Sequence, residues 1–280
     1  MSPVSDYDLH SHSTASDGTL EPRLLVQRAH AAGVRALALT DHDTTAGLEA
    51  ATDEGQRLGL VLIPGVEVSV TWHGRTVHVV GLHVERGHPL LEAGLSGLRA
   101  FREWRAAEIA RRLEQHGVAG AYEGARRLAT GAIVSRTHFA RYIVERGLAR
   151  DLREVFRRFL VRHKPGHVPG EWASLEDAVR WIRAAGGQAV LAHPARYRLA
   201  GPQLRGLIGE FRECGGEAIE VVSGSHSRED CLVMAAETTA AGLRASTGSD
   251  YHGPDNPWLE LGTLPALPQG CAPVWENWSH

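Results

Sequence analysis

Short apolar segments alternate with longer amphipathic segments along most of this chain, and this alternation constrains the fold more than any other feature. The apolar segments have the length of buried strands, and the segments between them have helical spacing and often end at glycine. Strands that alternate with helices form a mainly parallel sheet. After a first strand near His10, the predicted strands are 34–40, 60–63, 76–84, 188–192, 218–222 and 243–247, with helices at 21–32, 44–58, 174–185, 202–213 and 228–241.

The alternation stops between Leu98 and Gly170. Three helices and no strand are predicted there, at residues 99–116, 135–146 and 151–160. We therefore expect an α/β domain built from residues 1–97 and 171–280, with a helical insert, residues 98–170, that caps the substrate. The Pro-rich tail from Trp258 is expected to pack over the body of the domain.

Charge is distributed unevenly between these parts. The whole chain has a formal net charge of −3. The insert contains 16 basic and 7 acidic residues, which gives it a net charge of +9. The remainder of the chain contains 14 basic and 26 acidic residues, which gives it a net charge of −12. An acidic body suits cations, and a basic insert suits an anionic partner.

Composition argues against several classes of protein. No apolar run approaches the length of about 20 residues that a membrane span needs, and residues 1–7 lack the apolar run of a signal peptide. Cys214, Cys231 and Cys271 are far apart, so we expect neither a disulfide framework nor a thiolate metal site. We expect a cytoplasmic protein without a membrane partner. Since the chain is acidic and lacks a strip of basic and aromatic residues, long duplex DNA is not an expected partner either.

The segment Asp8–Asp17 contains the first candidate functional residues. His10 and His12 are two residues apart near the end of a strand, so both imidazoles can point to one face and reach one ion. Asp17 follows on the loop. A chain with 16 histidines contains about one such pair by chance, so the pair alone is only a hypothesis.

Six of the seven predicted strands have an imidazole or a carboxylate late in the strand or just after it. Each residue alone has another explanation: His78 could be a core residue of an apolar strand, and Asp17 and Asp250 could be turn residues. Because the ends of parallel strands share one rim in a β/α barrel, the set as a whole favours a metal site. Its members are His10, His12, His42, Glu67, His78, His193, Asp250 and His252.

These residues stand in motifs that resemble those of the polymerase-and-histidinol-phosphatase (PHP) family. The motifs extend from residue 8 to residue 252, nearly the whole chain, and good ligands occupy all nine positions that hold metal in the family. The motifs are Asp8-Leu9-His10-Ser11-His12-Ser13, Thr40-Asp41-His42-Asp43, Gly65-Val66-Glu67, His78-Val79-Val80-Gly81, Ala192-His193-Pro194 and Gly248-Ser249-Asp250-Tyr251-His252.

The resemblance implies a distorted seven-stranded (β/α)7 barrel, similar to a TIM barrel, that carries a helical insert and holds three divalent ions. Glu67, His193 and Asp250 are the ligands expected to serve catalysis, with Glu67 bridging two ions. The implied ligand sets are His10, His12, Glu67 and Asp250 for one ion, Glu67, His78 and His193 for a second, and Asp17, His42 and His252 for the third.

The ligand set contains nitrogen and oxygen but no sulfur, which suits Mn²⁺, Zn²⁺ or Fe²⁺ better than Mg²⁺. The resemblance favours Mn²⁺. Ions bridged by Glu67 would lie about 3.5–4 Å apart and would lower the pKa of a shared water towards about 7, which supplies hydroxide for in-line attack on phosphorus. Asp41 or Asp43, on either side of His42, is expected to orient an imidazole or else to form only an Asx turn.

The basic insert is expected to hold the rest of the substrate. Arg102 and Arg105 lie three residues apart on one helix face, and Arg136 and His138 lie in the first turn of a helix, where backbone N–H groups favour an anion. Lys164 lies on the loop that returns to the barrel. Each of these residues could be only a solvated surface charge, but as a group they favour phosphate recognition.

Two short segments narrow the function further. Ser135–Ala140 and the loop at Lys164-Pro165 resemble the subgroup of 3′,5′-nucleoside bisphosphate phosphatases, whose relatives include the 5′→3′ exoribonuclease RNase AM. We therefore expect release of phosphate from nucleotides such as 3′-phosphoadenosine 5′-phosphate (pAp), 5′→3′ trimming of short single-stranded RNA, or both. The alternatives are a histidinol-phosphate phosphatase or other small-ester phosphatase, and a non-catalytic PHP module of a larger assembly.

Overall fold

The computed structural model describes residues 5–256 and 258–279. No helix in these ranges combines the length and the apolar character that a membrane span requires. Residues Phe156–Leu160 form a π-helical turn, and residues Pro194–Tyr197 form a 3₁₀ turn. The strands are β1 (Tyr7–Asp8), β2 (Ala36–Leu39), β3 (Val61–Trp72), β4 (Arg75–Leu82), β5 (Gln188–Leu191), β6 (Ala218–Ser223) and β7 (Arg244–Gly248), and the helices are α1 (Pro22–Ala31), α2 (Leu48–Leu58), α3 (Pro89–Glu114), α4 (Ala121–Leu128), α5 (Arg136–Glu145), α6 (Leu152–Val155), α7 (Leu175–Ala184), α8 (Gly201–Glu213) and α9 (Arg228–Ala240).

The strands are neighbours in the order β1 to β7 and form the expected seven-stranded, nearly closed barrel. Backbone hydrogen bonds join its two ends: Leu9 N–H donates to Thr247 O at 2.9 Å, and Asp250 N–H donates to His10 O at 2.8 Å. The segment after β7 therefore lies beside the segment after β1, which makes His10 and Asp250 neighbours despite their separation in sequence.

The sheet is mainly parallel, as predicted, but β4 runs antiparallel to both β3 and β5. The sequence pattern ended the third strand at residue 63, with Glu67 shortly after it, whereas β3 continues to Trp72 and forms a hairpin with β4. His73 (φ 45°) and Gly74 (φ 72°) have the positive φ values typical of a two-residue hairpin turn. His78 therefore lies in the first half of β4 rather than late in it, and the reversed direction brings that half to the rim.

Helix starts differ from the prediction at two places. α3 begins at Pro89 rather than ten residues later, because the fixed φ and missing N–H of proline suit a first helical turn. α2 begins at Leu48, since the Thr44 hydroxyl accepts a backbone hydrogen bond within the preceding turn instead of capping the helix. The helices predicted to begin at residues 135 and 174 do begin there: Ser135 and Ser174 cap α5 and α7, because each side chain accepts a backbone N–H in the first turn.

Residues 98–170 contain helices and no strand, with α4 as an addition to the prediction. Helix α3 connects two hydrophobic clusters. Leu91 and Leu95 pack with β3, β4 and α7, whereas Ile109 and Leu113 pack in a separate cluster with α4 and α5. The insert therefore has a core of its own, and its limits at residues 98 and 170 stay a prediction.

The C-terminal segment packs along the barrel, as expected of the tail. Val274 is buried, and its N–H donates to Ala245 O of β7 at 2.8 Å. The ring of Trp275 stacks on that of Tyr7 with centroids 4.4 Å apart. The tail thus covers the first and last strands where the barrel closes.

Gly248 marks a close approach between β7 and the first histidine. A Cβ at this position would lie 2.2 Å from His10 Cβ and 2.5 Å from Glu220 Oε1. We expect Gly248→Ala to lower the free energy of unfolding by about 1–3 kcal/mol, because these buried neighbours would have to shift. Gly206→Ala is the matched control: Gly206 lies in α8 with open space around it, and alanine there should stabilise by about 0.5–1 kcal/mol. Urea unfolding measures both variants, and equal stability would contradict the packing argument.

Candidate metal centre

Four buried residues from distant parts of the chain form the first part of the site. His10 and His12 follow β1, Glu67 lies in β3, and Asp250 follows β7. The two histidine Nε2 atoms are 3.1 Å apart, His10 Nε2 lies 3.4 Å from Glu67 Oε1, and His12 Nε2 lies 3.2 Å from Asp250 Oδ1. Because one donor atom from each residue lies within 4.8 Å of the others, a single ion could contact all four.

The carboxylate of Glu67 is the centre of the arrangement and is 0% exposed. Its Oε1 lies 2.7 Å from His78 Nδ1 and 3.1 Å from His193 Nε2, and its Oε2 lies 2.8 Å from His42 Nδ1. His10 and His12 also lie within 3.4 Å of this carboxylate, so five imidazoles surround it in total. Glu67 is therefore placed where it could bridge neighbouring ions.

A further group of ligands surrounds Asp17. Asp17 Oδ1 lies 3.2 Å from His252 Nε2 and 3.8 Å from His42 Nε2, and His12 completes this group. The second carboxylate oxygen of Asp17 accepts hydrogen bonds at 3.1 Å from the hydroxyls of Ser135 and Thr137 in the insert. The insert is thus connected directly to one predicted metal ligand.

All nine predicted ligands lie in this one cluster, but the geometry groups them somewhat differently from the resemblance. Donor atoms of His42, Glu67 and His78 lie within 4.8 Å of one another, whereas the resemblance places Glu67 and His78 with His193. The assignment of ligands to individual ions therefore stays a prediction.

Two ligands have a left-handed backbone, which non-glycine residues rarely adopt: His193 (φ 30°) and Asp250 (φ 57°). Such a conformation costs of order 1–3 kcal/mol and persists only where the surroundings impose it. Glu220 Oε2 accepts the His193 N–H at 2.6 Å, and His10 O accepts the Asp250 N–H at 2.8 Å. Backbone strain of this kind concentrates at functional sites.

The donor set fits divalent cations. In the described ranges, Asp17 Oδ1, Glu67 Oε2, His42 Nδ1 and His78 Nδ1 are buried atoms without a hydrogen-bond partner. Such atoms are rare, because burial removes their hydration and nothing replaces it. A cation between them would replace it, and a nitrogen-and-oxygen set without sulfur suits the divalent metals expected from the sequence.

Burial and neighbouring charges set the protonation of these ligands. Burial lowers the pKa of His12 to about 3 and the pKa of His78 to about 4, so both imidazoles are neutral at pH 7. Burial opposes ionisation of Glu67, but the attraction of the surrounding imidazoles outweighs it and holds the pKa of Glu67 well below 4.5. Burial also favours the neutral forms of His10, His42 and His252, but neighbouring carboxylates outweigh it and raise the pKa of each, that of His252 to about 9. Because metal binds neutral imidazole and ionised carboxylate, a bound cation would displace the protons of these three rings.

Glu220, in β6, is a site residue that the sequence reasoning missed. Its Oε1 lies 3.2 Å from His10 Nδ1, on the side of the ring opposite the cluster, and its Oε2 binds the backbone of His193. A carboxylate behind a metal-ligating imidazole fixes the ring and raises its basicity. The available signal was a single acidic residue within the apolar strand 218–222.

Asp41 and Asp43 do not orient an imidazole, so that expectation is wrong. Asp41 accepts hydrogen bonds from Ser13 N at 2.8 Å and from Ser16 Oγ at 2.6 Å. Asp43 accepts from Arg102 Nε at 2.6 Å. The two carboxylates therefore fix the loop after β1 and a helix of the insert region, which carry groups around the metal ligands.

A cleft lies over the metal ligands, with the insert as one wall. Arg102 and Arg105 of α3 and Arg136 of α5 line it, as expected, together with Trp172 and Phe156. The guanidinium carbons of Arg102 and Arg105 lie 5.0 and 5.3 Å from the Trp172 ring centroid. Burial, with the neighbouring charges of Arg136 and Arg102, lowers the pKa of Arg105 to about 9. A bound anion would relieve this repulsion.

His138 and Lys164 do not line this cleft. His138 is 1% exposed, and its Nδ1 accepts the Ser135 N–H at 3.0 Å, so it caps α5 rather than contacting a phosphate. Lys164 is exposed outside the cleft. Arg196, which was not predicted, does line the cleft, and its Nη1 donates to Asp250 Oδ2 at 2.8 Å.

The chain is similar to known proteins in sequence and in fold. The family profile described as "PHP domain" matches residues 8–160. The 3′,5′-nucleoside bisphosphate phosphatase of Chromobacterium violaceum is 46% identical over 275 residues, which cover 98% of this chain and 96% of that protein. The 5′-3′ exoribonuclease Rnm of Escherichia coli (strain K12) is 47% identical over 276 residues, covering 98% and 94%.

The fold agrees with these similarities. A structure described as an amidohydrolase from Chromobacterium violaceum, with bound sulfate and no metal, superposes with a TM-score of 0.94 at 46% identity. The superposition covers 97% of this chain and 95% of that one. With its ligand motifs assembled on a seven-stranded barrel, the chain belongs to the PHP-domain family.

Proposed function

We propose that the protein is a metal-dependent phosphoesterase that removes the 3′-phosphate from 3′,5′-bisphosphonucleotides and releases 5′-mononucleotides from the 5′ end of short RNA. The observation that carries this proposal is the presence of two anion-binding groups in one cleft. The metal ligands, through the cations that they would hold, form one group. Arg102, Arg105 and Arg136 form the other. A ribose with a phosphate on each side, 3′ and 5′, fits such a pair.

In this proposal, cations held by the metal ligands would receive the scissile 3′-phosphate, and the three arginines hold the 5′-phosphate. The nine ligands would hold three divalent ions, for which Mn²⁺ is the first choice. These ions would supply an activated hydroxide and neutralise charge on the phosphate. Arg196, beside Asp250, is placed to contact an oxygen of the scissile phosphate. Asp43 fixes Arg102, and a backbone carbonyl accepts Arg105 Nε at 3.0 Å, so two guanidinium groups are oriented before substrate binds.

The relatives support this proposal, because one is named for the bisphosphate phosphatase activity and the other for the exoribonuclease activity. The sulfate bound in the Chromobacterium structure is a tetrahedral anion like phosphate. The proposed partners are therefore nucleotides and short single-stranded RNA, and the cytoplasm remains the expected location.

A histidinol-phosphate phosphatase would use the same metal ligands and is the second candidate. Its substrate carries one phosphate and an ammonium group, and the arginine wall would repel the ammonium group. The complete set of nine candidate ligands likewise disfavours a non-catalytic module, which would not need an arginine-lined cleft over its metals.

A comparison of three substrates tests the proposal. The Mn²⁺-loaded protein should release inorganic phosphate from pAp and mononucleotides from a 5′-phosphorylated RNA pentamer, but little phosphate from histidinol phosphate. Chromatography of the products and a phosphate assay measure these outcomes. Hydrolysis of histidinol phosphate alone would support the second candidate, and a protein inert towards all three would support a non-catalytic module.

Arg136→Ala tests recognition of the 5′-phosphate. We expect kcat/KM for pAp to fall about 10–100-fold, mainly through KM, because a hydrogen bond to a charged group is worth about 1.5–3 kcal/mol. Adenosine 3′-monophosphate lacks the 5′-phosphate, so the variant and the wild type should hydrolyse it equally. Arg127→Ala, which removes a surface partner of Glu145, is the control. An equal loss on both substrates would argue against this role.

Glu220→Gln tests the carboxylate behind His10. The substitution preserves size and removes charge, and we expect affinity for Mn²⁺ to fall about 10–100-fold, as for other partners of ligating histidines. Titration of activity and of bound metal with Mn²⁺ measures the change. Glu210→Gln is the matched control, since Glu210 accepts a hydrogen bond from Trp72 Nε1, away from the cluster. Unchanged Mn²⁺ affinity in Glu220→Gln would remove Glu220 from the site.

A further inference from the structure

A second groove adjoins the metal centre on the side away from α3. It has a volume of ≈ 840 Å³, within the range of about 300–1,000 Å³ typical of ligand sites. Its far wall is formed by the α6 region, Gly224 and the loop after β7. It shares a boundary with the first cleft, formed by Thr137, Phe156, Arg196, Asp250 and His252.

The proposed reaction requires a second binding region when RNA is the substrate. Water supplies a hydroxide whose oxygen bonds to phosphorus while the bond from phosphorus to the 3′-oxygen of the first nucleotide breaks. The 3′-oxygen takes the proton and leaves with the 5′-mononucleotide, and the phosphate stays on the 5′-oxygen of the next nucleotide. That next nucleotide must lie beyond the metal centre, on the side opposite the 5′-phosphate.

Cationic groups on the groove are available for such a chain. Arg153 is exposed and forms no ion pair within residues 5–256 and 258–279. Arg141 is 17% exposed, and its buried Nε has no hydrogen-bond partner among those residues. The carboxylate of Asp255 lies 3.8 Å from that Nε, beyond hydrogen-bonding distance, and a backbone phosphate could displace it.

Two loops approach closely at the groove, and an exposed aromatic ring lies in the segment that borders it. A Cβ at Gly224 would lie 2.1 Å from Ser249 O, so only glycine lets these two loops meet at the floor. Asn256 and Leu259 line the groove, and Trp258 between them is 93% exposed. Exposed aromatic rings bind single-stranded nucleic acid by stacking on bases, whatever the sequence.

We propose that this groove binds the ribonucleotides that follow the scissile phosphate. A bisphosphonucleotide then occupies only the first cleft, whereas RNA occupies the first cleft and the groove. This inference rests on the proposed function and adds to it the path of the RNA chain. One metal centre thereby serves both a phosphomonoester and a phosphodiester.

Arg153→Glu and Trp258→Ala, with Mn²⁺-loaded enzyme, test the groove. Each variant should lower kcat/KM for the 5′-phosphorylated pentamer about tenfold, mainly through KM, and leave kcat/KM for pAp within about twofold of wild type. Arg153→Glu should also weaken the salt dependence of RNA hydrolysis, because one phosphate contact contributes a slope of about −0.7 for a single strand. Arg183→Glu on α7, an exposed arginine outside both clefts, is the matched charge control.

The outcomes separate the two proposals. The groove assignment is overturned if both variants hydrolyse the pentamer as fast as the wild type does, or if they lose equally on pAp and on the pentamer. In either case, normal hydrolysis of pAp by the wild type preserves the proposed function. A wild type that hydrolyses neither pAp nor the pentamer defeats the proposed function itself, and the groove assignment with it.

Discussion

The structure depends on one carboxylate buried among five imidazoles. An isolated buried charge costs several kcal/mol, so Glu67 is tolerated only because the surrounding rings, and any cation among them, offset its desolvation. The five rings come from four segments, after β1, after β2, in β4 and after β5, and these segments meet only when the barrel closes, through contacts such as Asp250 N–H to His10 O. The arrangement of the sheet therefore fixes the arrangement of the ligand cluster. The left-handed backbone of His193 and Asp250 lets the chain leave β5 and β7 and still direct these side chains into the cluster.

Most members of the histidine and carboxylate cluster could be predicted from the sequence, because they are unusual residue types at the ends of strands. Glu220 could not, since it lies within a strand and its role depends on His10, a residue 210 positions away. The direction of β4 was missed for a related reason: the alternation of apolar residues along 76–84 is the same in either direction. Only His73-Gly74, with its capacity for positive φ, carried the signal for a hairpin.

The substrate side was less predictable, because a charged residue on a helix says little about whether the side chain faces a cleft, a neighbour or solvent. Arg102 and Arg136 face the cleft, as their positions suggested, but His138, two residues from Arg136, turns back to cap its own helix. Arg196 follows His193 by three residues, and it reaches Asp250 only because a 3₁₀ turn follows β5. These outcomes are decided by packing between segments far apart in sequence.

The two sides of the metal centre differ in a way that gives the proposed reaction a direction. Arg102 and Arg105 are each 9% exposed, so the wall that would hold the 5′-phosphate continues into protein rather than into solvent. In the proposed binding mode, a phosphate held there is the 5′ end of the substrate. On the other side of Asp250, the groove reaches Asn256 and Leu259, which flank the exposed Trp258 in the chain. A chain bound across both regions can therefore continue only in its 3′ direction, which restricts cleavage to the terminal nucleotide at the 5′ end.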